Sequence, residues 1–455
     1  LFKVESKILH FFLPFLIILI YNFGCTPSEE ILSNSGVRLR FSADTLLFDT
    51  ILSGQVSTTK RLYIYNTSNK QIIIDNIELV GETSNYFSII INGLQKNVFQ
   101  NISLRGNDSL LVLATANIPT DTTKNNAFVL ENTLKVENKN ISQNIIINAF
   151  TLNAKYYKGD TFDINTTWDS TFARVIYKSI YVKPNVIFNI DKGTKIFVMK
   201  DQKMVIDGIL NINGDTNARV VLQGNRFDKN FVNAPAQWYG ICLSSLTSGV
   251  NIKHAIVKNA QIGIECNGTE NNTEVNIQNT QFYNFSGNVL TLKNISKLYI
   301  YNTIIANAAG WLINAENINE VKFYNNTLVN GYTSLRKNDL MAYFNKINNR
   351  LSIINNIISA NRNLAINTSE LDIINTDVDN IILSKNIIDS RKITQTSDTS
   401  NFWYILPNLK DIGNYNFAPD TMSPAIDNGM KLTETEIDLY GKRRTEPWDI
   451  GAIEN

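Results

Sequence analysis

The chain has 455 residues, with 42 Lys+Arg set against 41 Asp+Glu and a net charge of +1. This balance leaves no basic surface for a nucleic-acid partner and no long charged tail. Only two histidines occur, His10 and His254, which excludes a multi-histidine metal centre; no metal and no other cofactor is expected.

In chain order, the first element reads as a processing signal. Lys3 and Lys7 make a positive start, with Glu5 between them, and residues 8–20 (ILHFFLPFLIILI) form an apolar run. Pro14 argues against a robust spanning helix. Residues 1–24 therefore read as a signal peptide, with Gly24 directly before Cys25. The Gly24-Cys25 step resembles a bacterial lipobox, although Asn22 stands where that family usually has Leu. The resemblance implies that Cys25 becomes the acylated N-terminus, that the lipid makes a membrane the chain's partner, and that the protein is an outer-membrane lipoprotein exposed at the cell surface. Residues 25–36 read as an acidic linker. Within it TPSEE (26–30) resembles the surface-export tag of Bacteroidetes lipoproteins; a generic solvated linker is the other reading.

Residues 37–150 carry short alternating runs separated by turn-formers. They are VRLRF (37–41), KRLYIYN (60–66), IIIDNIEL (72–79), FSIII (87–91), SLLVLATA (109–116), ENTLKVEN (131–138) and NIIINAF (144–150). This spacing predicts an immunoglobulin-like β-sandwich, without an inter-sheet disulfide because the region has no Cys. LLFDTILSG (46–54) followed by LYIYNTSNKQIIIDNIEL (62–79) resembles the Hydin-type immunoglobulin-like domain. The resemblance implies a spacer or a protein-contact module.

Residues 155–395 read as a solenoid. The segments NIKHAIV, NIQNTQF, YIYNTII, KFYNNTLV, SIINNII and LSKNIID place anchors at His254, Asn279, Asn302, Asn326, Asn356 and Asn386, at intervals of 25, 23, 24, 30 and 30 residues. A repeat of this length predicts stacked turns that bury a shared apolar core. The recurring Asn fits a corner where amides bond from rung to rung, so Asn279, Asn302, Asn326, Asn356 and Asn386 are expected to form one structural ladder, with His254 standing in for Asn. The stretch 180–215 resembles the opening of right-handed parallel β-helix proteins through Val182, Ile190, Gly193, Thr194, Ile196, Val205, Gly208, Leu210 and Gly214, with Asn185 in place of the usual Gly. The expected fold is thus all-β, a right-handed parallel β-helix preceded by the sandwich. Aligning GICL (240–243) with GIEC (263–266) points Ile241, Leu243, Ile264 and Cys266 inward and Cys242 outward, so no disulfide is expected.

Residues 396–455 read as a C-terminal cap. SPAIDNG (423–429), DLYGKRR (438–444) and DIGAIE (449–454) resemble the choice-of-anchor module that ends bacterial surface β-helix proteins, with Ile453 in place of Tyr. One reading makes Asp427, Asp438, Arg443, Arg444, Asp449 and Glu454 a metal or glycan site. The favoured reading makes them ion pairs of a cap over the last rung.

The catalytic motifs of polygalacturonase-like hydrolases are missing; NTD (375–377) stands without partners. Arg350, Arg362, Asp372, Asp377, Asp379 and Lys385 are weak candidates that read better as solvated loop charges. Catalytic residues are therefore unassigned. The expected function is a non-catalytic, lipid-anchored role in adhesion, surface display or glycan contact, with a polysaccharide or surface protein as partner. Tyr299, Tyr301, Tyr324 and Phe344 are candidates to stack on sugars, though alternation sends half of such residues to the core. The rival readings are a polysaccharide lyase or glycoside hydrolase with a divergent site, and a scaffold that binds proteins through the sandwich.

Overall fold

The computed structural model describes residues 36–121, 127–227, 230–268, 273–331, 341–360, 370–389 and 400–455. The signal peptide, Cys25 and all of the linker but Gly36 lie outside the described residues, as does Arg362. Two compact units emerge. One holds the described residues up to Ile51 with Gln55–Pro119 and Val129–Phe150; the other holds Leu52–Gly54, Thr120–Phe128 and Thr151–Asn455. No described helix is long and apolar enough to cross a membrane.

The first unit is a β-sandwich of two five-stranded sheets. Strands Lys60–Tyr65, Ser109–Ala116 and Phe87–Ile91 pair antiparallel at the centre of one sheet. Ile72–Val80 pairs antiparallel with Ala127–Asn138 and Val98–Leu104 in the other. Alternate residues turn inward, as a half-buried strand requires: Leu62, Ile64, Ile89 and Val112 face Phe48, Ile74, Ile77 and Leu134, all at 1% exposure or less. Phe48 and Phe87 meet with ring centroids 5.7 Å apart. Two strands escape the apolar pattern: Leu94–Lys96 and Val98–Leu104. Val98–Leu104 is an edge strand that, among the described residues, pairs with Ile72–Val80 alone; it shows most of its side chains to solvent and is interrupted by Asn101 at φ 55. Few of its side chains need to be apolar.

The second unit is a parallel β-helix with three faces. Face A is an 11-stranded parallel sheet running from Ala154–Lys158 to Phe402–Trp403. Faces B and C belong to a 15-stranded network in which the long strands Leu290–Tyr301, Ile313–Tyr324 and Ala342–Ile354 bend from one face into the other. Register fixes the core. On face C, Ile190, Ile212, Ile252, Ile277, Ile300, Phe323, Ile353 and Leu383 pair in one inward column, each at 2% exposure or less. Burying one such side chain stabilises by about 1.5–3 kcal/mol, so stacking repays what a single turn cannot. Gly208 turns the chain between faces B and C, where a Cβ would collide with the Val186 carbonyl.

The corners explain the Asn content. Three files of left-handed residues run along the helix. One is His254, Asn279, Asn302, Asn325, Asn355 and Lys385; a second is Asn259, Asn284 and Asn307; a third is Asn294, Asn317, Lys346 and Asn375, with φ between 47° and 67° throughout. Asn tolerates this region better than other residues with a Cβ, because its short amide bonds locally.

The C-terminal segment corrects an expectation. Only its start, Asn401 to Trp403, stacks on the last rung; the residues after it run as a strap along the outside of face A. Phe417, Leu439, Ala452 and Ile453 pack on the outward Ile304, Ala306 and Val329. Ala425 and Ile450 pack on Ile357 and Ile387. Arg219 reaches the strap from an early rung, donating to the Leu439 carbonyl and, at 2.6 Å, to the Asn279 carbonyl.

Candidate ligand-binding site

The single Asn ladder expected from the repeat divides into two adjacent files. Asn279 and Asn302 belong to the left-handed corner file with His254, Asn325 and Asn355. Asn326, Asn356 and Asn386 occupy the next position, where Thr280 and Thr303 stand on earlier rungs. This second file is buried and closed on itself. Asn326 Nδ2 donates to Asn356 Oδ1 at 3.0 Å, Asn356 Nδ2 to Asn386 Oδ1 at 2.9 Å, and Asn386 Nδ2 to Asn401 Oδ1 at 2.9 Å. Each Oδ1 also accepts a backbone N–H from the rung before. Its role is to hold rungs in register.

The corner file turns its amides outward and grips the strap. Asn302 Nδ2 donates to the Ile437 carbonyl at 2.7 Å, and Asn355 Nδ2 to the Met430 carbonyl at 2.7 Å. Asn325 Oδ1 accepts from the Thr435 hydroxyl at 2.8 Å.

Among the expected ion-pair residues, Arg444 is the hub. Its side chain is wholly buried and pairs with Glu454 at 3.1 Å. It also donates to Asn302 Oδ1 at 3.0 Å and to the carbonyls of Thr435, Asp449 and Gly451. Burial pulls the Arg444 pKa down, against the pull of Glu454 and Asp438. Asp438 and Asp449 are buried but bond backbone instead of cations: Asp438 accepts from Tyr440, Lys442 and Glu454 N–H, and Asp449 from Asp427 and Asn455 N–H. Arg443 is exposed, with Glu436 3.8 Å away. Asp427 is an exposed left-handed turn residue. The expected set of ion pairs thus reduces to one buried pair, because the short carboxylates are consumed by turn N–H groups.

Where the strap passes the corner between faces C and A, a polar cleft of about 300 Å³ opens. Gln278, Asn279 and Asn302 form one side, Glu434 and Glu436 the other, and Tyr301 reaches in from face C. Tyr301 belongs to a stack, 6.2 Å from Tyr299 at 16° and 5.5 Å from Tyr324 at 28°. Leu432 covers Tyr301 and Tyr324, which are nearly buried. Tyr299 stays half-buried, and its hydroxyl donates to Glu320 at 3.2 Å. Burial first, then the Glu320 carboxylate, pushes the Tyr299 phenol up to about 12. Lys322 lies over the Tyr299 ring at 5.3 Å and pairs with Glu434 at 3.2 Å. Burial alone would raise the Glu434 carboxyl, but its hydrogen bonds, including that from Lys322, hold it below the ordinary range. It therefore stays an ionised acceptor at neutral pH. Phe344, the fourth aromatic candidate, lines the core at 0% exposure. The cleft presents the half-buried amides of Gln278 and Asn279 opposite the carboxylates of Glu434 and Glu436, with the edge of the tyrosine stack at its side, a polar lining suited to a hydroxylated ligand.

The remaining candidates do not converge. Arg350 Nε donates to Ser352 Oγ, Asp377 closes a turn onto Asp379 N–H, Lys385 takes a corner place, and Asp372 lies on face B. His254 sits in the corner file with Nε2 3.2 Å from Asn279 Nδ2. Cys242 pairs with Glu265 and Leu243 with Cys266, both cysteines are free, and burial pushes their thiols up to about 11 and about 12. No group of three metal-ligating side chains occurs among the described residues. Gln278 and Glu434 carry no signal in the sequence that marks them as site residues; the strap brings them to one cleft.

No family model and no curated protein matches this chain. Solved structures with partial likeness include a family 123 glycoside hydrolase from Clostridium perfringens, at 10% identity and TM-score 0.18, covering 28% of this chain and 30% of that one. A PapD-like domain of human CEP192 matches at 9% identity and TM-score 0.17, covering 28% of this chain and 96% of the domain. A protein of unknown function from Porphyromonas gingivalis matches at 10% identity and TM-score 0.18, covering 28% and 59%. The chain thus spans less than a third of the hydrolase, and likenesses at these TM-scores leave function open.

Proposed function

We propose that this protein is a lipid-anchored, cell-surface β-helix that holds a glycan without cleaving it. The observation that carries the reading is the polar cleft between the corner file and the strap, with amides on one wall and a tyrosine stack beside it. Half-buried amides specify hydroxyl geometry, and the edge of the tyrosine stack takes the apolar side of a sugar ring. The surface address rests on the Gly24-Cys25 step and the acidic residues after it.

The test is an array of neutral and acidic glycans probed with the full chain. Binding that falls at least about tenfold in Gln278→Ala and Tyr299→Ala, with unchanged thermal stability, supports the reading. An array without binding, or products of defined size released from it, defeats the reading. Palmitate labelling lost in Cys25→Ser tests the anchor separately.

A further inference from the structure

The outer surface of face C carries a second regularity beyond the cleft. Parallel register stacks Asn189, Asn211, Asn251, Asn276 and Tyr299 in one outward column. Asn211 Nδ2 donates to Asn189 Oδ1 at 2.9 Å, and Asn251 Nδ2 to Asn211 Oδ1 at 3.1 Å. None of these Asn is buried. An amide has two donors and two lone pairs, so each bond along the ladder leaves N–H and carbonyl capacity facing water. At Asn276 the column turns sideways: its Oδ1 accepts from Gln278 Nε2 at 3.0 Å. Gln278 is itself a wall of the cleft. The column and the cleft are therefore continuous.

We infer that this column is a track for a linear, neutral polysaccharide lying along the helix axis, with its leading sugar in the cleft. The inference rests on the glycan reading of the cleft and names the ligand class. Rungs repeat every ~4.8 Å, so Asn189 to Tyr299 spans about 19 Å in identical steps. Only a ligand with its own repeat along one axis meets the same amide at each step. The flanks fit a neutral chain. Ile187 and Ile209 stand on one side of the first amides and offer apolar contact to ring C–H groups. The charges beside the track are Asp191, Lys253, Glu274 and Lys297, with Lys322 over the Tyr299 ring; Glu274 pairs with Lys297 at 2.6 Å and Lys322 with Glu434 at 3.2 Å, which neutralises two of the three cations. No cationic strip exists there to take a polyanion, so uronic acid polymers and nucleic acids lack the electrostatic term they depend on.

The experiment is a chain-length titration of the full chain by calorimetry. The probes are ladders of glucan, mannan, xylan and chitin oligomers from dimer to octamer, with oligogalacturonate as the acidic control. Each added unit engages a further rung at high effective concentration, so affinity is expected to rise about tenfold or more between dimer and pentamer and then level off. Asn211→Thr and Asn251→Thr, which keep a strand-favouring residue, should remove that rise and leave dimer affinity unchanged. Gln278→Ala should weaken every length equally. Affinity independent of length, or a rise that survives both Thr variants, overturns the track while leaving the cleft reading in place. Tighter binding of oligogalacturonate overturns the ligand class. No binding by any oligomer overturns the track and the cleft together. A Thr variant that melts early is replaced by Asn251→Gln, which keeps the amide but displaces it by one methylene.

Discussion

Two files of amides run side by side along this β-helix, one residue apart in sequence, and they do opposite things. The file through Asn326, Asn356 and Asn386 is buried, bonds only the helix itself, and saturates every donor and acceptor it shares. The file through Asn279, Asn302, Asn325 and Asn355 is held at positive φ; it keeps one amide bond between rungs, Asn355 Nδ2 to Asn325 Oδ1 at 3.2 Å, but spends most of its amides on the strap and the cleft. One chemical group serves as a rung spacer in the first and as a docking surface in the second. What decides is orientation: a shift of one residue moves a side chain from core to exterior.

The contrast breaks most sharply at Arg444, where the corner file, the strap and Glu454 converge. Arg444→Met removes the cation from a buried pair, leaves the Glu454 carboxylate with only the Thr445 and Asp449 N–H groups, and takes the donor from Asn302 Oδ1. The expected loss is about 3–5 kcal/mol, read as a shift in the urea midpoint. The strap should become protease-sensitive while the rungs persist. If strap and rungs instead melt together, the strap is an integral wall of the solenoid and not a separable clamp.

Next in size is the buried file itself. Asn356→Ala removes an acceptor used by Asn326 N–H and Nδ2 and a donor to Asn386. Leaving such groups unsatisfied costs about 1–3 kcal/mol. Asn355→Gly, one residue earlier, keeps the left-handed backbone and loses contacts mainly to the strap. The two variants compared by thermal melting should separate the files, with Asn356→Ala the less stable.

That one recurring Asn in the sequence stands for two files in the fold shows where the sequence is legible and where it is not. The apolar column is plain, because Ile277, Ile300, Phe323, Ile353 and Leu383 recur with the turn. Counting two residues on from that column gives Asn279, Asn302, Asn325, Asn355 and Lys385, the corner; counting three gives Thr280, Thr303, Asn326, Asn356 and Asn386, the interior. Anchoring on Asn before an aliphatic pair jumps between them, since Asn325-Asn326 and Asn355-Asn356 supply the same letter to both. The cysteine alignment succeeded because it started from alternation. The strap and cleft had no such signal. Arg219 meets Leu439 across 220 residues, and no periodicity in residues 404–455 reports where the strap will lie.

Smaller still is the cost of the corner backbone. Asn279 holds φ 49. Asn279→Ala must bear left-handed strain of about 1–2 kcal/mol, whereas Asn279→Gly bears none but adds about 0.5–1 kcal/mol of unfolded-state entropy. The Ala variant should therefore be the less stable, by about 0.75 kcal/mol from the mid-range of the two terms, in matched denaturant melts. Equal stability would mean that the amide contact to His254, lost in both variants, and not the backbone, selects Asn at the corner.

The finest distinction is at His254, the one corner residue that titrates near neutrality. Its pKa lies below the ordinary value, by burial first and then by the charge of Arg219; Lys253 adds to the lowering and Asp215 opposes it. The sign follows from proton counting. In the unfolded chain the ring takes a proton as pH falls through about 6.5, while the folded state resists until its own lower pKa is reached. His254 thus contributes stability that is fully present above pH 6.5 and is lost as pH falls through the folded value. His254→Asn places at this corner the residue its neighbours use and removes the titration. The wild type should lose more stability than the variant between pH 7 and pH 5, measured as the change in melting temperature of each. Parallel curves would mean that the ring is protonated as readily in the fold as in water, and that Asn279 offers it no preference between its two states.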